Sequence, residues 1–339
     1  MNKGIFAIIA GSFLNLLVSM AYGSTDLLGC KENCRKTITW TGCGISKQGF
    51  MKELANVYGK QHQVTFALSG GGATKGIRDV VKGDAHMGGM CRLPLLGSDA
   101  GIVGSDDEQG VEQEKDSLLI PMGWDALVVI LHKDNPINDL QLDELKDILT
   151  GKITDWSQLK DNQGKKGKFN LYIRQGRLSG VGRSLRQTLF DNTHENFVQT
   201  AAVKKSSGEI EKAVAEDVNG IAVSGFSSAN KRDGLKLLSL NGYDSTINNL
   251  AAGKYPIYRI LILTLMKESL KDPDIGDFVE YARSREAAEV IKKAGTLPFT
   301  DGLSLSSKLK DAYLMEIFEL ETSGRYNPSK HNLEKWRLN

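Results

Sequence analysis

Residues 37–41 (TITWT) alternate polar and apolar side chains, the period of a strand, and end in the tight turn Gly42-Cys43-Gly44. Over 48–58 the period lengthens, and Phe50, Leu54 and Val57 fall on one helical face. Residues 64–68 predict a second strand running into Ser69-Gly70-Gly71-Gly72, and 74–82 a second helix with Ile77, Val80 and Val81 apolar. A third strand, 85–90, is broken by Arg92-Leu93-Pro94. Strands and helices alternating this closely predict an α/β unit with parallel pairing. The polar, acidic stretch 97–116 reads as a loop.

The apolar run 118–131 (LLIPMGWDALVVIL) suits a long strand crossing from one domain to another. Asp134-Asn135-Pro136 opens a new region, with a helix over 140–149 stopped at Thr150-Gly151 and a surface loop over 161–168. A strand over 170–173 leads through a Gly/Ser turn into a helix over 182–190. Then come a helix over 208–217, with Ile210 and Val214 inward, and a strand over 220–224. The apolar run 255–265 is the natural return crossing, followed by helix over 275–294. A tail from Asp301 carries one amphipathic helix, 308–320. There is no internal repeat of fixed period.

The first 23 residues are an address. Lys3 supplies a positive start, 5–20 are mostly apolar, and small residues around Ala21 and Gly23 fit a signal-peptidase site. The apolar run is interrupted by Gly11, Ser12 and Asn15, too broken for a span of about 20 residues. Leu27-Leu28-Gly29-Cys30 has the form of a lipidation signal. Polar Ser24, Thr25 and Asp26 separate it from the apolar core it should abut, so no lipid anchor is expected at Cys30. The destination is the periplasm. Composition is that of a globular chain long enough for two domains, at 339 residues and 25% charged. Its 43 basic against 41 acidic residues leave no global basic field, which excludes a nucleic-acid partner.

The four cysteines acquire meaning from that address, because an even count in an oxidising space favours disulfides. Cys30 and Cys34 can close a small loop. Cys34 and Cys43 flank a strand and lie too far apart to bond, so the natural partition is Cys30 with Cys34 and Cys43 with Cys91.

Three strand-to-helix turns, 42–47, 69–76 and 174–184, are rich in glycine and hydroxyls and place backbone N–H groups at helix N-termini, ready anion sites. In an open α/β sheet such strand ends converge on one crevice. Arg174 and Arg177 flank Ser179-Gly180, where a guanidinium can face the same spot. On spacing alone, the glycines serve equally well as plain turns and the arginines as solvated cations. Residues 176–184 (GRLSGVGRS) imitate a nucleotide-binding loop, but the glycines are one residue too far apart and Arg183 stands in place of lysine. The five histidines show no metal-ligand spacing, and no nucleophile–His–acid arrangement is apparent. No enzyme activity and no cofactor are expected.

Several stretches, in order, resemble the PstS-like phosphate-binding periplasmic proteins of ABC transporters, a group of type II solute-binding proteins. They are Ser69-Gly70-Gly71-Gly72-Ala73-Thr74-Lys75-Gly76-Ile77, Lys82-Gly83-Asp84-Ala85-His86-Met87-Gly88, and Asp134-Asn135-Pro136 with Ile148-Leu149-Thr150-Gly151-Lys152-Ile153-Thr154-Asp155-Trp156. Arg174 with Ser179-Gly180, Asn219-Gly220-Ile221-Ala222-Val223 and Gly295-Thr296-Leu297-Pro298-Phe299 complete the series, which runs from about Ile38 to Phe299. The resemblance implies an α/β fold of two lobes, each a mixed sheet flanked by helices, with the ligand cleft between them. Lobe 1 is expected over 37–123 plus 256–299, lobe 2 over 124–255, and a helical tail over 300–339. It further implies a monomer that captures a small oxyanion and hands it to an ABC permease or a membrane sensor.

Carried over by position, the ligand-binding residues are Ser46, Lys47, Gly72, Ala73, Cys91, Arg174, Ser179, Gly180 and Val181, with Arg177 beside Arg174 as the alternative cation. Ala73 stands where the family has serine and Val181 where it has threonine, so two hydroxyl donors are gone. Cys91 stands where it has aspartate or serine. Each hydrogen bond lost to a charged ligand removes about 1.5–3 kcal/mol. An alternative use of the same fold is a binder or sensor of a soft ligand, arsenite or copper, through Cys43 and Cys91.

Overall fold

A computed structural model of the chain describes residues 25–95, 114, 117–309, 319 and 323. Its strands are β1 (Asp26–Gly29), β2 (Lys36–Gly42), β3 (Val64–Gly70), β4 (Met87–Met90), β5 (Leu118–His132), β6 (Asp139–Leu140) and β7 (Asn170–Arg174). They continue as β8 (Ala202–Lys204), β9 (Gly220–Gly225), β10 (Leu235–Leu237), β11 (Ser239–Leu240), β12 (Tyr258–Leu265) and β13 (Leu297–Pro298). Among the described residues they form one mixed sheet in the order β1-β3-β2-β4-β12-β5-β9-β7-β8, with β10 and β13 also on β5, and a small β11-β6 pair. The result is the mixed α/β architecture expected of a two-lobed binding protein.

Strand β5 organises this sheet. Every residue of it except His132 is buried, which is why it reads as an almost unbroken apolar run. Its first half, Leu118 to Ala126, pairs antiparallel with β12. Its second half, from Leu127, pairs antiparallel with β9. One strand therefore serves both halves of the sheet. The ladder with β12 shifts register between Leu261 and Ile262, whose partners are Gly123 and Pro121. Met122 is left over as a bulge beside a proline that has no N–H to give. In the first half, β2 is parallel to both β3 and β4; in the second, β7 is parallel to β8 and β9. The carboxyl ends of β2, β3 and β7 carry the glycine-rich turns, and that of β4 carries Cys91.

Three elements differ from the sequence expectations. The helix expected over 275–294 is two, Pro273–Ala282 and Arg285–Lys293, because Ser284 leaves the helical region and its hydroxyl caps the N–H of Ala287 at 3.1 Å. The return strand begins at Tyr258 rather than 255, after Pro256. The first helix begins earlier, at Gly44, and contains a π-helical turn over Lys47–Met51 before Lys52–His62. The leader 1–23, most of the acidic stretch 97–116 and most of the tail helix 308–320 lie outside the described residues; Thr300–Leu309 is a 3-10 run.

Close approach fixes where the helix Ala73–Lys82 begins. Gly76 on that helix lies on the strands: a Cβ there would meet the Thr41 carbonyl at 2.8 Å and the Gly89 carbonyl at 2.9 Å. Gly88 answers from β4, where a Cβ would collide with the Gly76 carbonyl. This glycine seam lets the helix sit directly on β2 and β4 with its first turn at the strand ends. Because the obstructing atom is backbone, it cannot rotate away. The Gly88→Ala protein is expected to lose about 1–3 kcal/mol of unfolding free energy in urea, as overpacked sites do.

Candidate functional site

The turns at the ends of β2, β3, β4 and β7 meet at one interface. Cys43 follows β2, and its N–H donates to the Gly89 carbonyl at 3.0 Å. Cys91 follows β4. The two are joined by a disulfide with Cα atoms 6.4 Å apart, and Cys30 is joined to Cys34 across 5.7 Å. Both sulfurs of the Cys43–Cys91 bond are thus already used, and the soft-ligand alternative finds no support. Among the described residues no group of three His, Cys, Asp or Glu could hold a metal ion.

From the other side comes the helix Gly180–Phe190. Ser179 is its N-cap, and its hydroxyl accepts the Gly182 N–H at 3.1 Å. Gly180 and Val181, at N1 and N2, are buried, and no acceptor among the described residues takes their N–H groups. The first turn lies against Cys91 so closely that a Cβ on Gly180 would overlap the Cys91 sulfur and approach the Cys91 carbonyl to 3.1 Å. The backbone angle of Gly180 is ordinary, so proximity alone demands glycine here.

The remaining expected residues are distributed around this contact. Ser46 is wholly buried and its hydroxyl donates to the Met90 carbonyl at 2.6 Å, which ties the first helix to the end of β4. Gly72 and Ala73 start the helix Ala73–Lys82, and Gly72 needs its positive φ of 92° to turn into it. Lys47 is drawn to the sheet edge, where its ammonium pairs with Asp26 at 3.0 Å and donates to the Leu68 carbonyl at 3.3 Å. Arg174 closes β7 and donates to the Lys204 carbonyl at 3.1 Å. Burial holds its guanidinium below the usual arginine range, against the pull of Glu209. Arg177 donates to the side-chain oxygen of Asn196. The structure thus brings Ser46, Cys91, Ser179, Gly180 and Val181 together. Lys47, Arg174 and Arg177 are held by partners of their own.

Two buried ion pairs at this interface escape sequence reasoning. Arg92 follows Cys91, and its guanidinium grips both oxygens of Glu114, at 2.7 and 3.0 Å, with both side chains fully buried. Its other donors reach the Thr74 hydroxyl at 3.0 Å and the Leu178 carbonyl at 3.1 Å, so one side chain links the helix after β3 to the turn after β7. Leu178 also packs on Leu95. Arg259 on β12 stands opposite Asp125 on β5 and bonds it at 3.0 Å, while the Ser227 N–H reaches the same carboxylate at 2.9 Å. Burial lowers the Arg259 pKa and Asp125 opposes it. Arg186, lower on the helix Gly180–Phe190, is pushed down to about 10 by burial and by Arg177, and its guanidinium lies 3.8 Å over the Phe197 ring. The signal for the second pair was present: Asp125 and Arg259 are the lone charges within two apolar runs. Nothing in the sequence marks Glu114 as buried.

Two outcomes follow from these contacts. Arg92→Ala leaves a buried carboxylate without its cation, and an unfolding free energy lower by about 3–5 kcal/mol is expected in urea titration. Gly180→Ala is expected to hold the helix off Cys91 without altering secondary structure, read as an unchanged far-ultraviolet circular dichroism spectrum and a larger radius of gyration in X-ray scattering.

Known proteins share this fold. The chain is 25% identical over 314 residues to the phosphate-binding protein PstS of Bacillus subtilis, covering 88% of this chain and 95% of that one. To PstS of Borreliella burgdorferi it is 26% identical over 199 residues, 58% of this chain and 71% of the relative. A Clostridium perfringens protein, described as a phosphate ABC transporter substrate-binding protein and solved with bound phosphate, superposes with a TM-score of 0.65 at 22% identity. That match covers 77% of this chain and 99% of the other, and shows the shared fold. A family model described as a PBP superfamily domain matches residues 35–286, and the chain accordingly belongs to the PBP superfamily.

Proposed function

We propose that this chain is an extracytoplasmic solute-binding protein that captures phosphate or a related oxyanion for an ABC importer. The observation that carries the reading is the meeting of the Ser179–Gly180–Val181 turn with the loops after β2, β3 and β4. Gly180 and Val181 are buried at a helix start with N–H groups that no described acceptor takes, and Gly180 packs on Cys91, beside the Met90 carbonyl that holds Ser46, the environment an anion requires. The relatives' names, phosphate-binding proteins, point the same way. They are binding proteins, and the reading involves no catalytic step.

The lobes are read as 37–123 with 256–299, and 124–255; β5 changes partner from β12 to β9 after Ala126, three residues beyond that boundary. The oxyanion sits between them, bound by the Ser179 hydroxyl and the N–H groups of Gly180 and Val181. Arg174 supplies positive charge from the end of β7, with Arg177 in reserve. The protein works as a monomer in the periplasm and delivers its ligand to an ABC permease or a membrane sensor, without nucleic acid. No helix among the described residues is long and apolar enough to cross a membrane. In isothermal titration calorimetry the protein is expected to bind phosphate, and Arg174→Ala to weaken it at least about tenfold, the effect of a charge-assisted bond in a desolvated cleft. Unchanged affinity would remove Arg174 from the site; no binding of phosphate, arsenate or sulfate would reject the reading.

A further inference from the structure

The Cys43–Cys91 bond lies against the turn that the oxyanion reading assigns to the ligand. Cys91 directly faces the first turn of the helix Gly180–Phe190, so closely that Gly180 has no room for a Cβ. That turn carries the two buried N–H groups without protein acceptors among the described residues. A disulfide sulfur carries no proton. It offers an anion nothing to bind, and it packs on Gly180, the residue that carries the first of the N–H groups that do. The bond also fixes both loops, since Cys43 caps the helix that begins at Gly44 and Cys91 ends β4. The Ser46 hydroxyl, 3.8 Å from the Cys43 sulfur, is meanwhile committed to the Met90 carbonyl. The two cysteines are 4% and 3% exposed, so the bond is sealed while Gly180 rests on it.

We propose that the Cys43–Cys91 disulfide is a redox control on ligand capture: bonded, it holds a proton-less sulfur over the anion seat; opened, it releases the seat and adds a donor to it. This rests on the oxyanion reading above. Reduction by a dithiol breaks one S–S bond and transfers two electrons and two protons. Cys43 and Cys91 become thiols, and the dithiol closes to its own cyclic disulfide. Each side chain is then free to turn about its own Cα–Cβ bond. The Cys91 sulfur can leave Gly180, and its S–H can point at a bound oxygen. A disulfide that merely braced two loops would affect stability alone, and opening it would not improve binding. The Cys30–Cys34 pair does not enter the argument, because it closes a separate five-residue loop near β1.

The test measures phosphate affinity by calorimetry on the purified full chain in the Cys30→Ser/Cys34→Ser background, so that the cleft bond is the one disulfide left. The oxidised protein is compared with protein reduced by dithiothreitol, the opening being verified by the mass gained on alkylation. A second variant, Cys43→Ser/Cys91→Ser, removes the bond, restores two hydroxyl donors and cannot ionise. Its folding is checked by a cooperative thermal melt. Phosphate is expected to bind at least about tenfold more tightly to the reduced protein and to the double serine variant than to the oxidised protein, the gain of one hydrogen bond to a charged ligand. Equal or tighter binding by the oxidised form overturns the redox control and leaves the oxyanion reading standing. Failure of every form to bind phosphate, arsenate or sulfate overturns both.

Discussion

A carboxylate and a guanidinium sealed inside the sheet, Asp125 and Arg259, hold the molecule in register. They face each other on β5 and β12, the two strands that carry the chain between halves. Burying two charges costs several kcal/mol per ion, and the pair recovers this only in good geometry. A slip of β12 by one residue would turn Arg259 to the opposite face and strand Asp125. The apolar neighbours alone would tolerate such a slip. The carboxylate also receives the Ser227 N–H, so the same pair fixes the start of the helix Phe226–Ala229 and, through Gly225, the end of β9. The placement of β9 in turn sets that of β7 and of the helix that follows it.

The same economy of space governs the cleft. Glycines at 76, 88 and 180 let backbone approach backbone or sulfur without side chains between them. Of the cations nearby, Arg92 is answered by Glu114 and Lys47 by Asp26, while Arg174 and Arg177 donate to neutral oxygens of Lys204 and Asn196. On the oxyanion reading, aligned peptide dipoles at a helix start, short in range and directional, act there together with the Arg174 charge.

Much of this was legible along the chain. Alternation and helical spacing located the strands and helices of both halves, because each buries one face or both. The turns that meet at the candidate site announced themselves as glycine and hydroxyl clusters at strand ends, and the cysteine partition followed from strand length. The elements that were not legible lack such signals. Strand β8 is three residues long, β13 is two, and β1 is a four-residue strand behind the leader. Tertiary pairing creates them. The break at Ser284 was masked by apolar spacing that continues across it. The role of Arg92 depends on Glu114, which sits in a stretch whose acidity suggested only solvent. Burial of a charge is a property of the partner, and the partner lay 22 positions away.

The two margins of the sheet carry a colloidal consequence. Its outermost strands are β1 at one end and β8 at the other, four and three residues long. Each bears a charge, Asp26 on the first and Lys204 on the second, and the first runs at once into the Cys30–Cys34 loop. The first shows one exposed apolar side chain, Leu27, and the second Val203 beside the small Ala202, too little to form a patch. An open sheet otherwise presents unpaired backbone along its rims, a template on which another chain can add a strand. Here neither rim is long or apolar enough to recruit one, so the protein can be crowded in solution without seeding strand-by-strand aggregation.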